Sequence, residues 1–519
     1  MKSLNVRPVV FWMPLLVFVT LVITSLTKPG IFLKTTTAIN SWILAVFPHA
    51  FAYGAFIFVA TCCWAALSPL GKIKIGGPDA IPFLTRWSWL AITLTTTIAI
   101  GILFWATAEP IYHLYAPGGL PIKPGGELAT RFSMTTLFMH WAFTPYAIYT
   151  IPGLTFALVY YNLKKPFSLS SPVSVLTRRP IPQKGADILD GLALLSLLFG
   201  LTAVLGVGIM SISGGIVRVS NFTSGPMLRA FVAGAIVTAF FLSSASGLHK
   251  GIRVLSDINT KIFFALMIFV LITGPTWDIL GLGAKSAGQY AMEFLPRSLL
   301  LDPFNDQDWI NGWTVFYWAN WLAWAPLTAL FLGKISRGYT VRAYVVVNFL
   351  LPALFSMIWM TIFGGTALKI ERANPGILKE VLDTEGPNHV LYAVIDYLPF
   401  ALPIAILFVS VSFISYVTAA DSNTDVIANL CASEGTENIE GKGHILIKLV
   451  WASAIGIAAW IMTSLSGIDG VKMLSNLGGL PALFIVLTFN LVLIILGTIK
   501  LKDLRIVKQA SQLRRQETS

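Results

Sequence analysis

Residues Trp313-Thr-Val-Phe-Tyr-Trp-Ala-Asn-Trp-Leu-Ala-Trp-Ala-Pro326 place four tryptophans within a dozen positions of an otherwise apolar run. That run covers about 310–334. A helix needs about 20 residues to cross the hydrocarbon of a bilayer, so the run is long enough to span. Tyr317, Asn320, Trp321 and Trp324 recur at i, i+3, i+4 and i+7, which predicts one shared helix face. An interfacial aromatic belt would suit Trp309 and Trp313, at the start of the run. Trp321 and Trp324 fall near its middle, where belts do not occur. The stretch therefore predicts a membrane-spanning helix that carries a binding face.

Working outward, similar apolar runs lie near 8–27, 43–68, 87–112, 134–161, 187–212, 227–247, 254–279, 342–369, 397–419, 447–467 and 476–499. With the first, they predict about twelve transmembrane helices in an all-α polytopic membrane protein. Backbone groups in lipid must be satisfied inside each segment, which makes helices the solution. Composition agrees: the 519 residues are 55% hydrophobic and only 12% charged, against roughly 25% charged in soluble domains. The run at Pro8–Thr27 is followed by Lys28-Pro29-Gly30 rather than by a small-residue cleavage site, and reads as a retained first helix. Two stretches, Ala284–Leu295 and Glu371–Asp396, read as interfacial rather than spanning.

The net charge of +12 could suggest a nucleic-acid partner. The basic residues instead sit in short clusters between apolar runs, which is topology control and not polyanion binding. Lys72, Lys74, Arg86, Lys164, Lys165, Arg178, Arg179, Lys334, Arg337 and the tail after Ile499 fall on one side, so both termini are expected in the cytoplasm. Cys62, Cys63 and Cys431 have no metal-ligand spacing and imply no disulfide framework. No P-loop, HExxH or Gly-x-Ser-x-Gly arrangement supports ATP drive or hydrolysis, so an enzyme is not expected.

A second aromatic cluster is His140-Trp-Ala-Phe-Thr-Pro-Tyr-Ala-Ile-Tyr149. Pro145 loosens the helix there, and Trp141, Tyr146 and Tyr149 could face one cavity. Taken alone, ordinary aromatic packing explains this cluster as well. Together the two clusters suggest a cage. A quaternary ammonium has no N–H to donate, so only ring faces can select it, at about 0.5–2 kcal/mol per contact. Thr93-Leu-Thr-Thr-Thr-Ile-Ala-Ile-Gly-Ile102 reads either as an interrupted ion-binding helix or as a small-residue packing face, and sequence does not separate the two. Thr418 could offer an oxygen to sodium, although a hydroxyl bonded to its own backbone is the commoner case. Glu109 and Asp421 are placed near helix ends, and His140 reads as a hydrogen-bonded packing residue. With no chain of buried acids, proton coupling is not expected.

The chain resembles the betaine/choline/carnitine transporter family over nearly its whole length. The resemblance is carried by Phe104-Trp-Ala-Thr-Ala-Glu-Pro110, His140 to Tyr149, Leu205-Gly-Val-Gly208, Lys250-Gly-Ile-Arg-Val-Leu-Ser256, Gly274-Pro275-Thr276, Trp313 to Pro326 with Lys334-Ile-Ser-Arg-Gly338, and Thr418 to Ser422. It implies the inverted-repeat leucine-transporter fold: five plus five helices with two extra N-terminal helices. The implied division is 1–85 for a cytoplasmic segment and two peripheral helices, 86–282 for the first repeat, and 283–309 for an interfacial helix and loop. Residues 310–499 would form the second repeat, and 500–519 a basic tail. It further implies import of a quaternary ammonium solute by alternating access, often with sodium, as a homotrimer in a bacterial inner membrane. The implied substrate residues are Trp141, Tyr146, Tyr149, Trp321 and Trp324, to which the helix face adds Tyr317 and Asn320. Implied ion positions are Thr97 and Ile98 from the third span and Thr418 and Ala419 from the tenth. Beyond sodium no cofactor or metal is expected.

Several positions depart from the family pattern. Tyr146 and Asn320 stand where tryptophans are frequent. Ala419 stands where sodium-coupled members carry a serine, and Ala203-Val204 where Thr-Ser is common. Asn259 and Thr328 stand where sodium-independent exchangers carry arginine and methionine. Both sodium symport and sodium-independent exchange follow as expectations.

Overall fold

The computed structural model describes residues 6–97, 101–245, 249–432 and 442–499. The N-terminal part contains α1 (Pro8–Thr27), α2 (Pro29–Val46), α3 (Pro48–Leu67), α4 (Arg86–Thr97), α5 (Gly101–Tyr115), α6 (Glu127–Trp141) and α7 (Phe143–Ala157). The middle contains α8 (Ser170–Thr177), α9 (Gln183–Val219), α10 (Pro226–Ala245), α11 (His249–Thr273), α12 (Thr276–Ser298) and α13 (Gln307–Ile310). The remainder contains α14 (Phe316–Lys334), α15 (Val341–Val345), α16 (Leu351–Ala373), α17 (Ile377–Thr384), α18 (Pro387–Ile395), α19 (Ala401–Cys431) and α20 (Lys442–Thr498).

Among the described residues, eight helices are long and apolar enough to cross a membrane, or nine when the bent pair α11–α12 counts as one span. Part of the difference from twelve runs is continuity. The runs at 447–467 and 476–499 form one element, α20, whose axis breaks at Gly467 with φ of +54°, a conformation that glycine adopts at little cost. α6 and α7 join end to end through Ala142, whose φ and ψ of −104° and −113° leave the helical region. Pro145, just inside α7, lacks the N–H that would bond back across this break. Helix α2 lies where no spanning run is predicted.

The expected interfacial stretch at 284–295 lies within the longer α12. That helix turns 107° away from α11 across Gly274-Pro275. The stretch at 371–396 resolves into the end of α16 and the short helices α17 and α18. The expected interruption between Thr97 and Gly101 includes residues 98–100, which lie outside the described ones.

The distribution of polarity is that of a protein dissolved in lipid. Trp12, Leu16, Ile23, Ile272, Ile358 and Leu402 are exposed, whereas Glu109, His113 and His140 are fully buried. Apolar surface outward and ionisable groups inward is the arrangement that hydrocarbon solvent selects. At one end of the bundle, Arg7 pairs with Asp187 at 2.5 Å and Asp190 at 2.7 Å, tying the segment before α1 to α9.

Candidate functional site

α14 runs through the interior, packed against α7, α9 and α20. Its first turn follows a widened π turn at Asn311–Val315. Such a turn re-aims the side chains that follow and recurs at functional sites. From it Tyr317 and Trp321 project toward α5, α6 and α7.

Trp321 is the hub of a ring cluster. Its ring centroid lies 5.4 Å from Trp141, 5.9 Å from Tyr146 and 5.4 Å from Tyr149. Tyr317 joins edge-on to Trp141 at 5.3 Å and stacks on His140 at 4.6 Å. All five aromatic residues are at most 3% exposed. Two polar ties fix the rings: Trp321 Nε1 donates to the His140 carbonyl at 3.2 Å, and the Tyr146 hydroxyl shares a 2.7 Å hydrogen bond with Ser356.

The structure divides the predicted α14 face among three neighbours. Trp324 lies against Gly200 of α9 rather than among the five rings, and Asn320 accepts from the Ser475 hydroxyl of α20 at 3.0 Å. The four positions from 317 to 324 sweep an arc of about 100°. That is too wide for one cavity when a helix is surrounded on all sides.

Behind the rings lies a group that the sequence reading placed near a helix end. Glu109 sits inside α5 and is fully buried. Oε2 accepts from Trp141 Nε1 at 2.8 Å and from the Tyr317 hydroxyl. Oε1 lies 2.7 Å from His140 Nδ1 and 3.2 Å from His113 Nε2. His140 Nε2 in turn lies 3.2 Å from the Thr314 hydroxyl. The ligand-type atoms of Glu109, His113 and His140 fall within 4.8 Å of one another. These atoms hydrogen-bond to one another through Glu109 Oε1. Lys472 of α20 lies nearby, with its ammonium 4.0 Å from the Trp313 ring and 3.0 Å from the Gly312 carbonyl. The sequence signal for this network was Glu109 followed four residues later by His113 in an apolar run, an intramembrane pair that is a functional hypothesis by default.

Two cavities flank the rings along α14. One is lined by His140, Arg297, Phe304, Asp306, Trp309 and Thr314. The other is lined by Val204, Leu205, Phe240, Trp324, Tyr416 and Thr424. From residue 314 to 324 the helix rises about 15 Å, and Tyr317 and Trp321 occupy that interval.

Of the ion candidates, the Thr97 hydroxyl donates to the Thr93 carbonyl at 2.8 Å, and that of Thr418 to the carbonyls of Ile414 and Ser415 at 3.0 Å each. Both donate their hydrogens one turn back, which leaves oxygen lone pairs as possible ligands. Ile98 and the side chain of Ala419 lie outside the described residues. Asn259 donates to the Ser415 hydroxyl at 2.6 Å.

Spanning helices, lipid-facing apolar surface and a buried aromatic interior define a polytopic α-helical membrane protein. The family of betaine/carnitine/choline transporters matches residues 9–499, and the chain belongs to it. It is thus a transporter rather than an enzyme. It is 29% identical to an ectoine/hydroxyectoine transporter of Virgibacillus pantothenticus, covering 94% of this chain and 95% of the relative. It is also 29% identical to the glycine betaine transporter OpuD of Bacillus subtilis over 92% of each chain. An osmo-dependent choline transporter, BetT2 of Acinetobacter baylyi, is 27% identical over 97% of this chain and 72% of its own length.

Proposed function

We propose that the chain imports a small betaine-, choline- or carnitine-like quaternary ammonium solute by alternating access, coupled to sodium, as a homotrimer with both termini in the cytoplasm. The observation that carries this reading is the convergence of Trp141, Tyr146 and Tyr149 on Trp321, with Tyr317 packed edge-on against Trp141, deep in the bundle and away from lipid. Rings in a dry interior bind a methylated cation through their quadrupoles, more strongly than rings in water. The flanking cavities supply one vestibule on each side, and α14 links them. The ectoine/hydroxyectoine relative extends the substrate class to zwitterions that are not fully methylated.

Sodium would draw on the hydroxyl oxygens of Thr97 and Thr418. The alanines at 203 and 419 favour the second reading, a sodium-independent substrate/product exchanger, because they remove hydroxyl ligands.

Uptake of labelled betaine, choline, carnitine and ectoine into proteoliposomes, with and without a sodium gradient, tests the proposal. Uptake that requires sodium supports symport. Counterflow in sodium-free buffer supports exchange. No flux of any of these solutes under either condition overturns both. Cross-linking in native membranes should stop at a three-subunit band, and a one-subunit band would reject the trimer.

A further inference from the structure

The hydrogen bonds around Glu109 mark its carboxylate as the acceptor of the group behind the rings. An indole N–H can only donate, and so Trp141 requires an acceptor at Oε2. The Tyr317 hydroxyl points at the same oxygen. On Oε1, His140 donates from Nδ1, and its Nε2 shares a 3.2 Å hydrogen bond with the Thr314 hydroxyl, which can serve either a neutral or a protonated ring. His113 donates from Nε2, and its buried Nδ1 has no partner. Four donors converge on one carboxylate between two imidazoles. With both rings neutral, such a cluster holds one negative charge, completely buried.

A buried charge without a counter-charge is expensive. Among the described residues, the nearest arginine and lysine make no ion pair with Glu109, and the Lys472 charge acts on it only from a distance. Arg297 of α12 is paired with Glu293 at 2.7 Å. Lys472 of α20 lies on the Trp313 ring and bonds the Gly312 carbonyl. Of titratable groups, α5 also presents Tyr112, packed against Trp313 at 5.1 Å, and α20 carries Asp469, which acts on Tyr112 and Lys472. α6 contributes His140, and α14 contributes Tyr317. Two ways remain to neutralise the carboxylate. One is a proton on the cluster, for which the open Nδ1 of His113 is the free position, with the rings of Trp313 and Trp309 at 4.5 and 5.2 Å to receive a cation. The other is a cationic solute among the rings, whose walls Trp141 and Tyr317 are the donors to Glu109.

We propose that Glu109, His113 and His140 form a proton site that exchanges with the cationic group of the substrate, so that substrate binding releases a proton and acid pH expels the substrate. This rests on the reading of the ring cluster as the substrate cage. Two positive charges on either side of one ring, in a medium of low dielectric, repel strongly, and the linkage is reciprocal. Glu109 acts through Trp141 and Tyr317 and is thus a positioning residue as well as the counter-charge.

The test measures binding of labelled choline to the purified full-length protein, at constant sodium, between about pH 5 and 8, where histidine titrates. A pH-indicator dye in weak buffer records protons released on binding. In the native protein, affinity should weaken by about tenfold toward acid pH, and choline should release protons at intermediate pH. Glu109→Gln should flatten the pH profile and abolish the release. His113→Gln removes the free Nδ1 position and should flatten the pH profile and abolish the release as well. Trp321→Ala should lose binding at every pH. A native affinity that does not vary with pH, or dye release unchanged in Glu109→Gln, overturns the proton site and leaves the cage reading standing. Native binding by Trp321→Ala overturns the cage reading instead. If Glu109→Gln does not elute as a folded species, the pH profile of His113→Gln decides the matter: a flat profile supports the proton site, and a native profile overturns it.

Discussion

The indole nitrogen of Trp141 lies 2.8 Å from Glu109 Oε2, so one wall of the ring cluster is hung from a buried carboxylate on a different helix. This bond couples the orientation of an aromatic face to the charge state of α5. Trp141→Phe keeps a ring and removes the donor. A hydrogen bond to a charged group contributes about 1.5–3 kcal/mol, so choline affinity and thermal stability should both fall. The double variant with Glu109→Gln should lose less than the sum of the two single variants, because both break the same bond. Additive losses in the double-mutant cycle would mean that the two residues act independently.

Trp321 makes a sharper case, since three rings pack around it. Trp321→Ala should weaken substrate binding by about 30-fold or more, the equivalent of a desolvated cation–π contact of about 2 kcal/mol. Trp321→Phe retains a ring and loses only the 3.2 Å bond to the His140 carbonyl. It should keep a measurable part of the affinity. Equilibrium binding separates these outcomes, and equal affinity of both variants and the native protein would place the substrate elsewhere.

Asn320 was legible as a departure from a pattern, and its structural consequence was not. Because its amide accepts from Ser475 on α20, it is a tie between helices and not a missing ring. Ser475 also donates to the Val471 carbonyl at 3.1 Å, and it stays satisfied without Asn320. Asn320→Ala should therefore cost no more than about 1 kcal/mol and leave substrate preference unchanged. Asn320→Trp should destabilise by about 1–3 kcal/mol through overpacking against α20. It should not raise affinity for methylated amines. A competition series across methylated amines, with thermal midpoints alongside, checks both statements.

These residues show which links sequence carries and which it does not. Long apolar runs specify spanning helices because the bilayer has no other partner for backbone groups. Trp321 and Trp324 stand out because aromatic residues at mid-span escape the belt explanation, whereas Trp141 taken alone reads equally as packing. Glu109 reads as lying near a helix end because the apolar run ends at 112, whereas α5 continues to Tyr115 and buries the carboxylate well inside. Its partners come from positions 140, 141 and 317. Pairings over such separations have no period to read. The division of the α14 face has the same origin. Helical spacing tells which side chains share a side, not how many neighbours that side meets.

The contact between α14 and α20 also limits side-chain size on the second helix. A Cβ at Gly479 would lie 2.5 Å from Ala319 Cβ and collide with the Ala319 backbone as well, so the helices approach at a distance that only glycine permits. Gly479→Ala should separate them, lower stability by about 1–3 kcal/mol and slow transport, because α14 carries Tyr317 and Trp321. Gly234 on α10 is the matched control. A Cβ there meets nothing within 4 Å, and replacement by alanine should gain up to about 1 kcal/mol of helix propensity. Thermal unfolding in detergent, with transport rate measured in parallel, compares the two. A Gly479→Ala protein as stable and active as the Gly234→Ala protein would show that the two helices have room to part without cost.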